Sequence, residues 1–151
     1  VDLVISTSVM LPVRQAKEEI ITALKEFEFV IVIGATGSGK STQVPQFLLE
    51  ENVCRDEYGS RCCVTQPRRV AVTSVCRRVC KEIGCDIGTK VGYAMRFERA
   101  CSETLTIIKF ATDGYALREA AGDPYLGQYN ILILDEAHER SVETDLLLGL
   151  A

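Results

Sequence analysis

Gly34-Ala35-Thr36-Gly37-Ser38-Gly39-Lys40-Ser41 fits G-x-x-x-x-G-K-[ST] at every fixed position, and its flanks decide how it is read. Upstream, Phe29-Val30-Ile31-Val32-Ile33 is β-branched and unbroken, the composition of a strand buried on both faces of a parallel sheet. Downstream, Ser41 to Glu51 suits a helix. Strand, glycine-rich turn and helix in this order predict a phosphate-binding loop. The glycines let successive backbone N–H groups point inward, and the helix N-terminus adds its partial positive charge. Lys40 then reaches the β- and γ-phosphates as a point charge, and the Ser41 hydroxyl completes the shell of a magnesium ion. The bland alternative, a glycine turn between strand and helix, gives way because the motif comes with both flanking elements.

A second stretch, Ile131-Leu132-Ile133-Leu134-Asp135-Glu136-Ala137-His138, repeats the buried-strand pattern and ends in two adjacent carboxylates. Ligands of open α/β sheets bind at strand ends. Asp135 suits a magnesium ion, usually through water, because a hard cation prefers oxygen and keeps much of its hydration. Glu136 is placed to accept a proton from the attacking water while the ion and Lys40 stabilise the leaving phosphate. An N-cap pair opening the next helix is the other reading, and the loop upstream demotes it.

The bulk properties bound the rest. A chain of 151 residues with 47% hydrophobic content can bury a core, and one domain spanning 1–151 is expected. A formal charge of −4 and a pI near 5.1 advertise no nucleic-acid binder, so any such contact must come from local basic clusters. No apolar run reaches the length of a membrane span and no secretory signal pattern is visible, which reads as a soluble intracellular protein without a membrane partner. The seven cysteines include no C-x-x-C pair and the single histidine lies in the acidic motif, which argues against zinc. Small buried hydrophobes in a reducing compartment is the preferred reading.

Val13, Ala16, Ile20, Leu24 and Phe27 recur at helical spacing, predicting an amphipathic helix entered at Pro12 that packs over the sheet. Cys62-Cys63-Val64-Thr65 reads as a strand ending in Gln66-Pro67-Arg68-Arg69, with helical periodicity from Val72 to Ile83. The basic pair therefore opens a helix, where cations oppose the macrodipole. Either the phosphates of a bound strand offset that cost, or the pair is simply solvated. Lys90 to Phe97 suggests a short strand leading to Arg96-Phe97, a cation beside an aromatic, used both in packing and against single strands. Leu105 to Ala111 is another strand, followed by Thr112-Asp113-Gly114 and a helix from Tyr115 to Ala121. Thr112 and Asp113 have N-cap chemistry, and free N–H groups at a helix start also suit phosphate. Strands alternating with helices argue a parallel, doubly wound α/β sheet with these motifs along one edge. The residues by themselves thus point to a magnesium-dependent nucleotide triphosphatase with a possible nucleic-acid track.

GATGSGKSTQVPQ, TQPRRVAV, VGYAMRFE, ATDGYALREA and ILILDEAHER, in this order, resemble the first RecA-like lobe of the DEAH-box RNA helicases of helicase superfamily 2, from about Leu11 onward. The resemblance implies a RecA-like P-loop NTPase fold, a mainly parallel sheet flanked by helices, using ATP and magnesium to move 3′ to 5′ on single-stranded RNA. Many such proteins serve mRNA splicing or ribosome biogenesis, in the nucleus or cytoplasm, often with a protein activator. It assigns phosphate binding to Gly34 and Thr36 through Thr42, comprising Thr36, Gly37, Ser38, Gly39, Lys40, Ser41 and Thr42. Ser41, Asp135 and Glu136 serve the metal, Glu136 and Lys40 the chemistry, and His138 the coupling to the other lobe. Arg78 matches an arginine that stacks on adenine, with plain helix surface as its alternative. Arg69, Arg96, Phe97, Thr112, Asp113 and Gly114 resemble contacts to the RNA backbone, which position a strand without reading its sequence.

The sequence departs from the family pattern at Ala35 and Ser41, where Glu and Thr are frequent, and at Tyr115-Ala116, where Met-Leu is usual. None of these removes a phosphate or metal ligand. The Ser-Ala-Thr motif, the second RecA-like lobe and the C-terminal domains of a parent chain are not in this sequence, so a fragment truncated after the DEAH motif is expected. An arginine finger contributes roughly 10³ to 10⁵ in rate in dissected phosphoryl-transfer systems, so slow turnover is expected from this piece alone. Two other readings stay open: a nucleotide-gated clamp on RNA or protein without efficient hydrolysis, and a DNA-translocating relative. The intact Glu136 favours the motor over the clamp.

Overall fold

The computed structural model describes residues 12–54 and 61–150. It divides into two compact units, Val1–Asn52 and Val53–Ala151.

In the first unit, α1 (Pro12–Gln15) and α2 (Lys17–Glu26) both pack on α3 (Lys40–Glu50). The single helix expected from Val13 to Phe27 is interrupted at Ala16, whose ψ of 7° leaves the helical range. The apolar spacing holds across the break for Val13, Ala16 and Ile20, which are buried, but not at its end, where Leu24 is half-buried, Phe27 is exposed and Ala23 and Ile21 are buried instead. Val13, Ala16, Ile20 and Ala23 meet Val44, Phe47 and Leu48 of α3 as the core of this unit. Lys17 closes one side, with Nζ 2.8 Å from Glu50 and 2.7 Å from Glu51.

The strand expected at Phe29 to Ile33 does not form. These residues pair with no strand among the described residues, and Phe29, Ile31 and Ile33 are 58%, 50% and 55% exposed. The composition was that of a strand buried on both faces, but a strand is a relation between chains. Without a neighbour to take its N–H and C=O groups, a β-prone segment has no ladder and no covered face.

The second unit is built on a five-stranded sheet in the order β3-β2-β4-β1-β5. Its strands are β1 (Arg61–Gln66), β2 (Val91–Met95), β3 (Glu98–Ala100), β4 (Ile108–Thr112) and β5 (Tyr129–Leu134). β1 runs parallel to both β4 and β5, and β2 parallel to β4, while β3 returns antiparallel to β2. The short β3 was not anticipated, and it makes the sheet mixed rather than purely parallel. α4 (Arg69–Ile83) covers β1, β2 and β4, α5 (Asp113–Gly122) covers β1 and β4, and α6 (Val142–Leu150) packs on α5. This is the mainly parallel, helix-flanked α/β architecture of a RecA-like domain.

Central placement explains the composition of β1. Cys62, Cys63 and Val64 are fully buried, with α4 and α5 covering the strand. The cysteines at 54, 62, 63, 76 and 80 are all free and buried, as small hydrophobes. Among the described residues two charged side chains are also buried, Lys109 and Asp113. Lys109 of β4 places Nζ 2.7 and 2.9 Å from the two Glu119 oxygens and 4.7 Å from the Tyr129 ring centre, while the Tyr129 hydroxyl donates to Glu119 at 2.6 Å. A buried cation needs such complete partnering.

Register then sets the functional edge of this unit. Gln66 pairs with Thr112 and Thr65 with Leu134, so β1, β4 and β5 end level with one another. β2, parallel to β4, ends on the same side with Ala94 opposite Ala111. Arg96-Phe97, Thr112, the Arg68-Arg69 pair and Asp135-Glu136 thus follow one strand edge in the order of the strands.

Candidate functional site

The phosphate loop belongs to the first unit. Gly37 at φ 79° and Gly39 at φ 93° occupy the left-handed region, where a β-carbon is strained. A side chain at Gly34 would approach the Ser38 hydroxyl to 3.1 Å. The turn closes through Ser38 N–H donating to the Ala35 carbonyl at 3.1 Å, and Gly39 then caps α3. The first-turn N–H groups of α3, beginning at Lys40 and Ser41, have no intrahelical acceptor and carry the positive end of the macrodipole. The Lys40 ammonium folds back into the loop, donating to the carbonyls of Gly34 at 2.5 Å and Ala35 at 3.0 Å and to Ser38 Oγ at 3.4 Å. A cation held only by neutral oxygens, beside the first-turn N–H groups of α3, has the chemistry to receive an anion. Thr42 caps the next turn on the Gly39 carbonyl at 3.2 Å, and the Gln46 amide holds the Thr42 carbonyl at 2.9 Å.

The acidic motif belongs to the second unit. β5 delivers Asp135 to the strand edge, and Asp135 N–H extends the ladder onto the Thr65 carbonyl at 3.2 Å. Its carboxylate is held on both sides. Oδ1 accepts the N–H of Glu136 at 2.9 Å, and Oδ2 accepts a short hydrogen bond from the Gln66 side-chain amide. Glu136 itself sits at φ 53°, left-handed and without glycine's freedom. This turns its carboxylate out of the strand line to meet His138 Nε2 at 3.3 Å, with both side chains substantially exposed. A 3₁₀ turn, Ala137–Glu139, follows and ends at Arg140, again left-handed at φ 52°. Arg140 is anchored by a two-pronged ion pair to Asp145 at 2.7 and 3.0 Å, which holds the Asp145 carboxyl below its ordinary value. Two strained residues bracketing His138 mark a segment whose shape the surrounding contacts impose.

Magnesium fits this chemistry. The Asp135 oxygens each accept one hydrogen bond and keep lone pairs for a hard cation, which needs only one or two protein oxygens beside its waters. Ser41 lies in the first turn of α3, in the first unit.

The basic residues along the same edge are partnered but not enclosed. Arg68 lies 3.0 Å from Glu139 and Arg69 lies 3.4 Å from Glu98, with the arginine side chains 73% and 54% exposed. Such exposed pairs contribute about 0–1 kcal/mol each, so an incoming phosphate can displace the carboxylates at small cost. Arg96 and Phe97 form the tip of the β2–β3 hairpin. The guanidinium lies 4.8 Å from the ring centre and Phe97 is 89% exposed at φ 66°. An aromatic held out to solvent in a strained turn does not serve the core, and its ring is open to a stacking partner.

Thr112 is the N-cap of α5 in backbone terms, with no side-chain capping bond. Asp113 does something else. Its carboxylate is buried and accepts from Thr144 Oγ1 at 2.7 Å and Ser141 Oγ at 3.4 Å. Ser141 in turn caps α6 through the Thr144 N–H at 3.0 Å. Asp113 therefore joins the first turns of α5 and α6, where both helix dipoles favour its charge. Gly114 is exposed and Thr112 is half-buried. Arg78 lies on the exposed side of α4 and pairs with Glu82 at 2.8 Å, one helical turn away.

Sequence reading passed over Gln66, Glu139, Ser141 and Thr144. Only Ser141 carried a local signal, an N-cap residue type just before the last helix. Gln66 and Glu139 acquire their roles from β1 lying beside β5. The family model described as DEAD/DEAH box helicase matches residues 14–146, nearly the whole chain and all the motifs above. Its members are ATP-dependent enzymes that act on nucleic acid, and this chain belongs to the DEAD/DEAH box helicase family.

Proposed function

We propose that this chain is the ATP-binding lobe of a DEAH-type RNA helicase, in which hydrolysis drives movement along single-stranded RNA and the remodelling of RNA or ribonucleoprotein. The observation that carries this reading is the anchored Asp135 followed by Glu136 and His138 at a parallel-strand end, in a chain that also holds a complete phosphate loop. Gly34 and Thr36 to Thr42 cradle the phosphates, and Lys40 leaves its loop carbonyls for the β- and γ-phosphate oxygens. Ser41 and Asp135 would hold magnesium, which when bound neutralises charge on the transferred phosphoryl group. Glu136 takes the proton of the attacking water, and His138, 3.3 Å from it, orients that carboxylate and reports nucleotide state to a second lobe. Arg78 exchanges Glu82 for the adenine face. Arg69, Arg96, Phe97, Thr112 and the backbone of Asp113 and Gly114 track the sugar–phosphate chain. Splicing or ribosome biogenesis, in the nucleus or cytoplasm, is the setting we infer from resemblance, and a protein activator would suit so acidic a lobe.

The test is binding of a fluorescent, non-hydrolysable ATP analogue to this chain with magnesium, beside phosphate release with single-stranded RNA present. Lys40→Ala should abolish binding. Glu136→Gln should retain it while removing whatever turnover the wild type shows. Binding indifferent to Lys40→Ala would sink the proposal. A nucleotide-gated clamp predicts phosphate release unaffected by Glu136→Gln, and equal competition by single-stranded DNA and RNA would favour the DNA-translocating relative.

A further inference from the structure

We infer that Gln66 is a positioning residue for the metal-bearing carboxylate. This rests on the reading of Asp135 as a magnesium carboxylate. Gln66 is the last residue of β1 and only 2% exposed. Its amide Nε2 donates to Asp135 Oδ2, while the neighbouring Thr65 carbonyl takes the Asp135 N–H at 3.2 Å. Main chain and side chain of Asp135 are thus both fixed by two consecutive residues of one buried strand. The remaining oxygen, Oδ1, is turned back on the Glu136 N–H at 2.9 Å, so the rotation of the carboxylate is set from both sides.

The residue type at position 66 follows from the electrostatics. A lysine or arginine there would neutralise Asp135 and compete with a divalent cation for it. A glutamate would place a like charge against it. A neutral amide gives a charge-assisted hydrogen bond that aims the carboxylate and leaves its full negative charge available. A buried glutamine also costs much less to desolvate than a buried ion. Metal ligands in general are oriented by such outer partners, whose loss costs about 10- to 100-fold in metal affinity.

The experiment measures the magnesium concentration that half-saturates the magnesium-dependent gain in affinity for the fluorescent ATP analogue. Gln66→Met keeps the length and removes the donor. It should raise that midpoint about tenfold and leave affinity in EDTA unchanged, since the phosphate loop is untouched. Gln66→Asn keeps the amide but is one methylene too short to reach Asp135 Oδ2, and it should raise the midpoint as Gln66→Met does, again without a change in EDTA. A merely structural residue would lower the melting temperature and leave the magnesium midpoint where it is. If Gln66→Met unfolds, as thermal melting in EDTA would reveal, Gln66→Asn decides alone. A wild-type midpoint in the Gln66 variants, with a raised one in Asp135→Asn, overturns this inference and spares the reading of Asp135. A wild-type midpoint in Asp135→Asn overturns both.

Discussion

Single residues in this chain are constrained by what lies beside them, and Gly92 shows it most sharply. A β-carbon at Gly92 would run into the Ala100 carbonyl oxygen and approach Cys101 Cβ and Cα to 2.8 and 2.9 Å. The obstacles are backbone and a short side chain at the end of β3, so neither can swing aside. Gly92→Ala should therefore cost about 1–3 kcal/mol, read as a lower urea midpoint at unchanged slope. An unchanged midpoint would mean that β3 slides at no cost. Nothing in Val91-Gly92-Tyr93 announced this, because β3 itself was invisible: three residues, Glu98-Arg99-Ala100, carry no strand signature. Asp113 teaches the same lesson from the opposite direction. Its position after a strand suggested a cap or a phosphate contact, whereas Thr144 and Ser141 claim it from 31 and 28 residues away. Residue types at strand ends were legible; their partners depended on the packing of α5 against α6.

At the scale of elements, α4 could be read from helical periodicity because it buries Val72, Cys76 and Val79 on one face, and β4 from a largely apolar run because Ile108 to Ala111 are buried. The residues from Phe29 to Ile33 mark where that reading stops: strong strand propensity, no ladder. Glycines and lysine of the phosphate loop were legible for a different reason, since the loop's curvature is local and needs only left-handed Gly37 and Gly39. The turn between β1 and α4 supports a prediction of its own. Arg68 meets Glu139 in an exposed ion pair, and a nucleic-acid phosphate would replace that carboxylate. Arg68→Ala should weaken single-stranded RNA binding about equally for unrelated sequences and lower the slope of log affinity against log salt by about 0.7. Glu139→Ala should strengthen binding, because the arginine no longer has to leave a partner. Fluorescence anisotropy at several salt concentrations separates these outcomes. An Arg68 variant with an unaltered salt slope would remove the β1–α4 turn from the nucleic-acid track.

For the molecule as a whole, the buried thiols make stability depend on pH in a direction that can be worked out. Burial pushes the Cys63 thiol from its ordinary 9.0 up to about 12, with nearby Lys109 acting the other way. Burial likewise raises Cys76 to about 11. Between the unfolded and folded values these thiols stay protonated when folded and ionise when unfolded, so the folded state binds more protons. Their contribution is complete below 9.0 and is lost as the pH climbs toward the folded values. Each such thiol then removes about 1.4 kcal/mol per pH unit. Urea midpoints under reducing conditions should accordingly hold level to about pH 8.5 and decline from about pH 9 upward, before lysines and tyrosines titrate widely. Cys63→Val keeps the apolar volume and should make that decline shallower by one thiol's share, while lowering stability at neutral pH only slightly. A variant that declines as steeply as the wild type would show that Cys63 is not a source of the alkaline loss and leave Cys76 as the next thiol to replace.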